Sequence, residues 1–99
     1  MNYGHKKQLA MPFKAAVGRL KEELPKEGFG VLTEIDVQAT LKKKLNVEYG
    51  AYRILGVCNP QFAYQALQIE KEVGLFMPCN VVLYEDAGKV TVAAAFPTV

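Results

Sequence analysis

The chain has two cysteines, and each sits in a tripeptide of the same residue types, Cys58-Asn59-Pro60 and Pro78-Cys79-Asn80. Two thiols brought together can exchange with a disulfide, and a carboxamide beside them can both donate and accept a hydrogen bond. Cys58 stands just before the start of a predicted helix, where backbone N–H groups and the helix dipole favour a thiolate. The plainer alternative is that a free cysteine packs as a small hydrophobe. Asn59 has a structural role available as a helix N-cap, whereas the sequence offers none for Asn80. Tyr52 and Arg53 would add a hydroxyl and a cation to the same cleft; their plainer roles are core packing and an exposed ion pair. The candidate ligand-binding residues are therefore Cys58, Asn59, Cys79, Asn80, Tyr52 and Arg53.

Other chemistries lack their parts. Structural zinc takes four N or S ligands, and His5 is the only histidine to set beside the two cysteines. Haem needs only one or two axial ligands, so a haem or metal role for Cys58 and Cys79 stands as an alternative, alongside thiol redox chemistry. The sequence has no serine, which removes serine-based hydrolysis. A Cys-His pair can be written only with His5, and no third group is placed to orient it. Gly28-Phe29-Gly30 precedes a strand rather than a helix, unlike a phosphate-binding loop. Glu22-Glu23 and Glu85-Asp86 fall on predicted surfaces, poor ground for a tuned acid. No catalytic residue, metal ligand or cofactor is assigned.

The totals narrow the class further. Ninety-nine residues make a single domain, residues 1–99. The net charge is +2, and Lys42-Lys43-Lys44 is the one basic run. A nucleic-acid reader would gather more basic charge on one face, so no nucleic-acid partner is expected. No stretch approaches the ~18 apolar residues of a membrane span, and the first residues lack the apolar segment of a signal peptide. A cytoplasmic location is expected, which disfavours a structural disulfide.

These residues need elements to position them. Residues 3–9 read as an edge strand guarded by lysines. Pro12 opens a helix in which Phe13, Val17, Leu20 and Leu24 share one face with Ala16. Pro25 marks its last turn and Gly28 its C-terminal cap. Phe29 to Ile35 reads as a strand, with Phe29, Val31 and Ile35 on one face. Asp36 caps a short second helix, closed by the three lysines. Tyr52 to Cys58 is a strand with apolar residues on both faces, hence central. Asn59 caps a third helix with Pro60 at its first position. This helix pairs a glutamine stripe with an apolar stripe of Phe62, Ala66, Ile69 and Val73, and Gly74 ends it. Asn80 to Tyr84 and Val90 to Phe96 form a closing hairpin around Glu85–Gly88. The order β-α-β-α-β-α-β-β predicts an α+β domain, a mixed sheet with helices packed on one face. Val82, Tyr84 and the alanines of the last strand would then be free to pair with a second copy.

Gly28 to Val37, GFGVLTEIDV, resembles the signature of the family known as domain of unknown function 302. Tyr52-Arg53-Ile54-Leu55-Gly56, Cys58-Asn59-Pro60 with Ala63 and Ala66-Leu67, and Gly74-Leu75 with Pro78-Cys79-Asn80-Val81 agree with it. The resemblance implies a small α+β protein with no established general function, for which a dimer would be unsurprising. It also implies a C-terminal helix after the last strand, where this chain stops at Phe96-Pro97-Thr98-Val99. The expected function is a non-enzymatic, homodimeric domain that binds a small ligand near the two Cys-Asn motifs. The alternatives are a redox, haem or metal role for the thiols, or a purely structural one.

Overall fold

The structure is a computed structural model that describes residues 5–94. Tyr3, Gly4, Ala95 and Phe96, which the sequence assigns to the first and last strands, lie outside the described residues, as does the His5 side chain.

Five strands, β1 (His5–Leu9), β2 (Gly30–Asp36), β3 (Tyr52–Cys58), β4 (Cys79–Asp86) and β5 (Lys89–Ala94), alternate with α1 (Phe13–Glu23), α2 (Val37–Leu45) and α3 (Pro60–Ile69). The element order and the α+β class are those the sequence predicts. The sheet, in the order β1-β5-β4-β3-β2, is antiparallel at every pairing rather than mixed. The reason lies in the connections. The links carrying α2 and α3 each return the chain to the end of the sheet it left, so the next strand must run back. Only α1 makes a crossover, and it spans the whole sheet, from one edge strand to the other. As a result α2 and α3 stand at opposite ends of the strands.

The core lies under α1. Ala16, Val17 and Leu24 are buried against Leu55 and Val57 of β3, Val81 and Leu83 of β4, and Val90 and Ala94 of β5. Phe13 and Leu20 pack at its margin, completing the helical stripe read from the sequence. The helix ends as expected for proline and glycine: Leu24–Glu27 tightens into a 3-10 turn, and Gly28 takes φ +86°. Gly28 N–H donates to Pro25 O and Phe29 N–H to Leu24 O, the paired bonds of a Schellman ending.

Three local readings change. The sequence puts Val31 and Ile35 on one face, but the pairing with β3 shifts between Val31 and Thr33. The bulge extrudes Leu32, 62% exposed, and reverses the alternation beyond it, so Ile35 leaves the core. The third helix stops at Ile69 instead of running to Gly74, and Lys71–Phe76 forms a 3-10 helix of its own. The closing turn is also tighter than read. Only Ala87 and Gly88, both at positive φ, separate β4 from β5.

Candidate functional site

The end of the sheet where β3 stops and β4 starts carries a cavity of about 690 Å³, within the ~300–1,000 Å³ range of small-molecule sites. Strand ends form its floor, with Val57 and Cys58 on one side and Cys79 and Asn80 on the other. Phe29, delivered beside them by the Schellman ending of α1, closes one wall. Phe62, Ala63 and Ala66 of α3, with Val73 and Phe76 of the 3-10 helix, close the opposite one. Among the described residues no charged side chain lines it.

Asn59 is held by its own helix. Its side-chain Oδ1 accepts from Phe62 N–H at 3.1 Å, which is the N-cap expected from the sequence. That leaves the Nδ2 group as a donor, facing Gly28. A Cβ placed on Gly28 would sit 3.3 Å from it. The Cys58 Sγ–H lies 3.6 Å from Asn59 O. Asn80 pairs with Gly56 in the sheet and turns its side chain to the cavity rim.

The two thiols do not converge as a pair. Cys79 is registered against Val57, not Cys58. Since side chains alternate between faces, Cys58 and Cys79 leave opposite faces of the sheet. Both reach the cavity because it wraps around the strand ends. Both are free and half-buried. Bonding them would require side-chain directions that this register does not supply. Among the described residues no group of three or more His, Cys, Asp or Glu could hold a metal ion.

Of the six candidates the structure brings together Cys58, Asn59, Cys79 and Asn80. Tyr52 and Arg53 sit at the other end of β3, about 20 Å away along the strand. Tyr52 stacks on Tyr84 with ring centroids 5.6 Å apart, and Tyr49 tilts against it at 6.3 Å. Arg53 binds Glu34 and reaches Asp36 at 3.3 Å. Glu34 also bonds Lys21. The Lys21 ammonium holds the Glu34 carboxyl below its ordinary range; burial opposes it, and the Arg53 guanidinium adds a further lowering. This group ties α1 to the β2–β3 edge, far from the cavity.

Sequence reasoning missed Phe29, Phe76 and Met77 as cavity residues and read Phe62 only as part of an apolar stripe. Phe62 is 64% exposed and Ile69, on the same stripe, 87%. The signal was present: α3 carries no charged residue at all, unusual for a helix at the surface.

A family model described as domain of unknown function DUF302 matches residues 5–99. The chain belongs to this family. Among solved structures, it is similar to the crystal structure of an uncharacterized conserved DUF302 protein from Bacillus stearothermophilus. The two share 33% identity and a TM-score of 0.85, over 94% of this chain and 73% of that one. None of the curated proteins matches. No helix among the described residues is long and apolar enough to cross a membrane.

Proposed function

We propose that this DUF302 chain is a non-enzymatic, homodimeric domain that binds a small, uncharged, mainly apolar molecule in the cavity at the end of β3 and β4. The observation that carries this reading is the lining. Apolar walls enclose a few polar groups, the usual make-up of a ligand pocket. The Asn59 Nδ2 group, the Asn80 carboxamide and the two thiols are the groups available to orient a ligand. A formal charge on the ligand would find no partner there, and burying it unpaired is costly. Among the described residues no carboxylate, imidazole or ammonium lines the site to serve as an acid or base.

Native mass spectrometry of the protein as purified from cells tests the reading. A copurified neutral molecule, lost or weakened in Asn80→Ala with an unchanged fold, is the expected result. Uptake of the neutral dye Nile red provides the parallel solution assay. A wild-type protein that takes up neither, or an Asn80→Ala variant that binds as well as wild type, would remove Asn80 and this cavity from consideration.

A further inference from the structure

The apolar surface beside the cavity mouth has no partner among the described residues. Phe62 and Phe76 line the cavity yet are 64% and 80% exposed, and Ile69 and Leu75 beside them are 87% and 81% exposed. Phe62 and Ile69 lie seven residues apart, on one side of α3. Neither α3 nor the 3-10 helix has a buried residue, and α3 packs on the 3-10 helix rather than on the sheet. A helix of this length is marginal without a packed face. The radius of gyration, 14.8 Å, exceeds the about 13 Å expected for a compact chain of this size.

We infer that a second copy of this chain docks on the surface formed by Phe62, Ile69, Leu75 and Phe76 and seals the mouth of the cavity. This rests on the dimeric, ligand-binding reading above and assigns the dimer its interface. Two arguments select a second copy. The first is area. Large apolar side chains present about 150–250 Å² each when fully exposed, so these four offer roughly 600 Å². A standard interface takes about 800 Å² from each partner, of which roughly 500 Å² is apolar. The second is charge. In a two-fold contact the same patch meets itself, so a charge near the axis would face its own copy and repel it. α3 meets that condition, with no charge from Pro60 to Ile69 in a chain that is 22% charged. Its polar positions, Gln61, Gln65 and Gln68, carry amides that donate and accept at once, so they can also pair with themselves. Between Ile69 and Leu75 the exposed Glu70, Lys71 and Glu72 are mixed in sign, so they too can pair with their own copies across a two-fold axis.

Sedimentation analysis of the wild type, of Ile69→Glu, of Leu75→Glu and of the double variant tests the interface. Neither residue lines the cavity and both are solvent-exposed, so circular dichroism should stay native. The wild type should be dimeric. Each substitution occurs twice in the dimer, and the double variant should weaken association by roughly a hundredfold or more. Val82→Glu, on the open sheet face, should leave the dimer intact. A wild type that stays monomeric up to millimolar concentration would overturn the inference. So would a dimer that survives the double variant, or one broken only by Val82→Glu.

Nile red separates the two readings. Dye affinity should fall in the monomeric double variant, whose cavity residues are intact. Unchanged affinity would overturn the sealing by the partner copy while leaving the cavity reading standing. No uptake by a dimeric wild type would overturn the cavity reading and the sealing with it, and the sedimentation result would decide the interface alone.

Discussion

Replacing Gly56 with alanine should be the most damaging small change in this chain. Gly56 is buried in the middle of β3, where Thr33 of β2 and Pro78 converge on the position its side chain would occupy. A Cβ there would stand 2.2 Å from Thr33 Oγ1 and 2.8 Å from Pro78 Cγ, against ~3.5–4.0 Å for ordinary contact. The threonine hydroxyl can rotate away at a cost of about 0.5–1.5 kcal/mol. The proline ring cannot, because it leads directly into β4, and displacing it belongs with overpacking costs of ~1–3 kcal/mol. Alanine regains about 0.5–1 kcal/mol over glycine in a strand. The net loss is then centred on roughly 2 kcal/mol, or a Tm lower by about 8–16 °C for a domain of this size. Urea unfolding followed by circular dichroism should show a lower midpoint at unchanged slope. Thr33→Ala in the Gly56→Ala background should recover about 1 kcal/mol, the share attributed to the hydroxyl. A Gly56→Ala protein within ~0.5 kcal/mol of wild type would show that Pro78 moves freely and that this packing argument is wrong.

Three further outcomes are expected. Ala87→Gly should stabilise the protein by about 1 kcal/mol, because a non-glycine residue at φ 53° in a two-residue hairpin turn carries roughly that penalty; no gain in thermal unfolding would refute it. Glu34 has its folded pKa lowered by Lys21 and Arg53, so its contribution is present above the unfolded carboxylate pKa and is lost as pH falls through the folded one. Glu34→Gln should therefore flatten the acid limb of the stability profile below about pH 4.3, and an unaltered limb would count against the cluster. Asn59→Asp should keep the cap and the stability, since a carboxylate accepts from Phe62 N–H equally well. It should nevertheless lower Nile red uptake by removing the Nδ2 donor, and undiminished uptake would exclude Asn59 as a ligand contact.

Much of this architecture is legible in the sequence because local rules act alone there. Asp36 and Asn59 cap their helices with the expected bonds, and Gly28 ends α1 in the left-handed conformation. The alternation in β3 sorts Leu55 and Val57 from Ile54 and Gly56 correctly. The failures occur where position depends on something distant. Helical connections are compatible with parallel neighbours, and only the end of the sheet at which α2 and α3 stand makes every pairing antiparallel. The bulge at Leu32 shows itself only against the register of β3. For the candidate site, the two Cys-Asn motifs meet at one end of the sheet beside the cavity, but Tyr52 and Arg53 belong to the far end of the same strand. The apolar stripe of α3 has the pattern of a core-facing helix, and that pattern is the same whether the face is buried in its own domain or left exposed.

The pairing of β1 with β5 bears on how the chain is made. His5 sits opposite Ala94 and Leu9 opposite Val90, and α1 packs against β4. A nascent chain emerging at ~5–20 residues per second therefore exposes β1 and the apolar face of α1 while their partners are still inside the ribosome. The β2–β3 pair and α2 can assemble on the way out. The first strand must wait for the last, so the edge it will occupy is the final part of the sheet to close. Contacts of such long sequence separation slow folding, and Lys6 and Lys7 keep the waiting strand from pairing with another chain in the meantime.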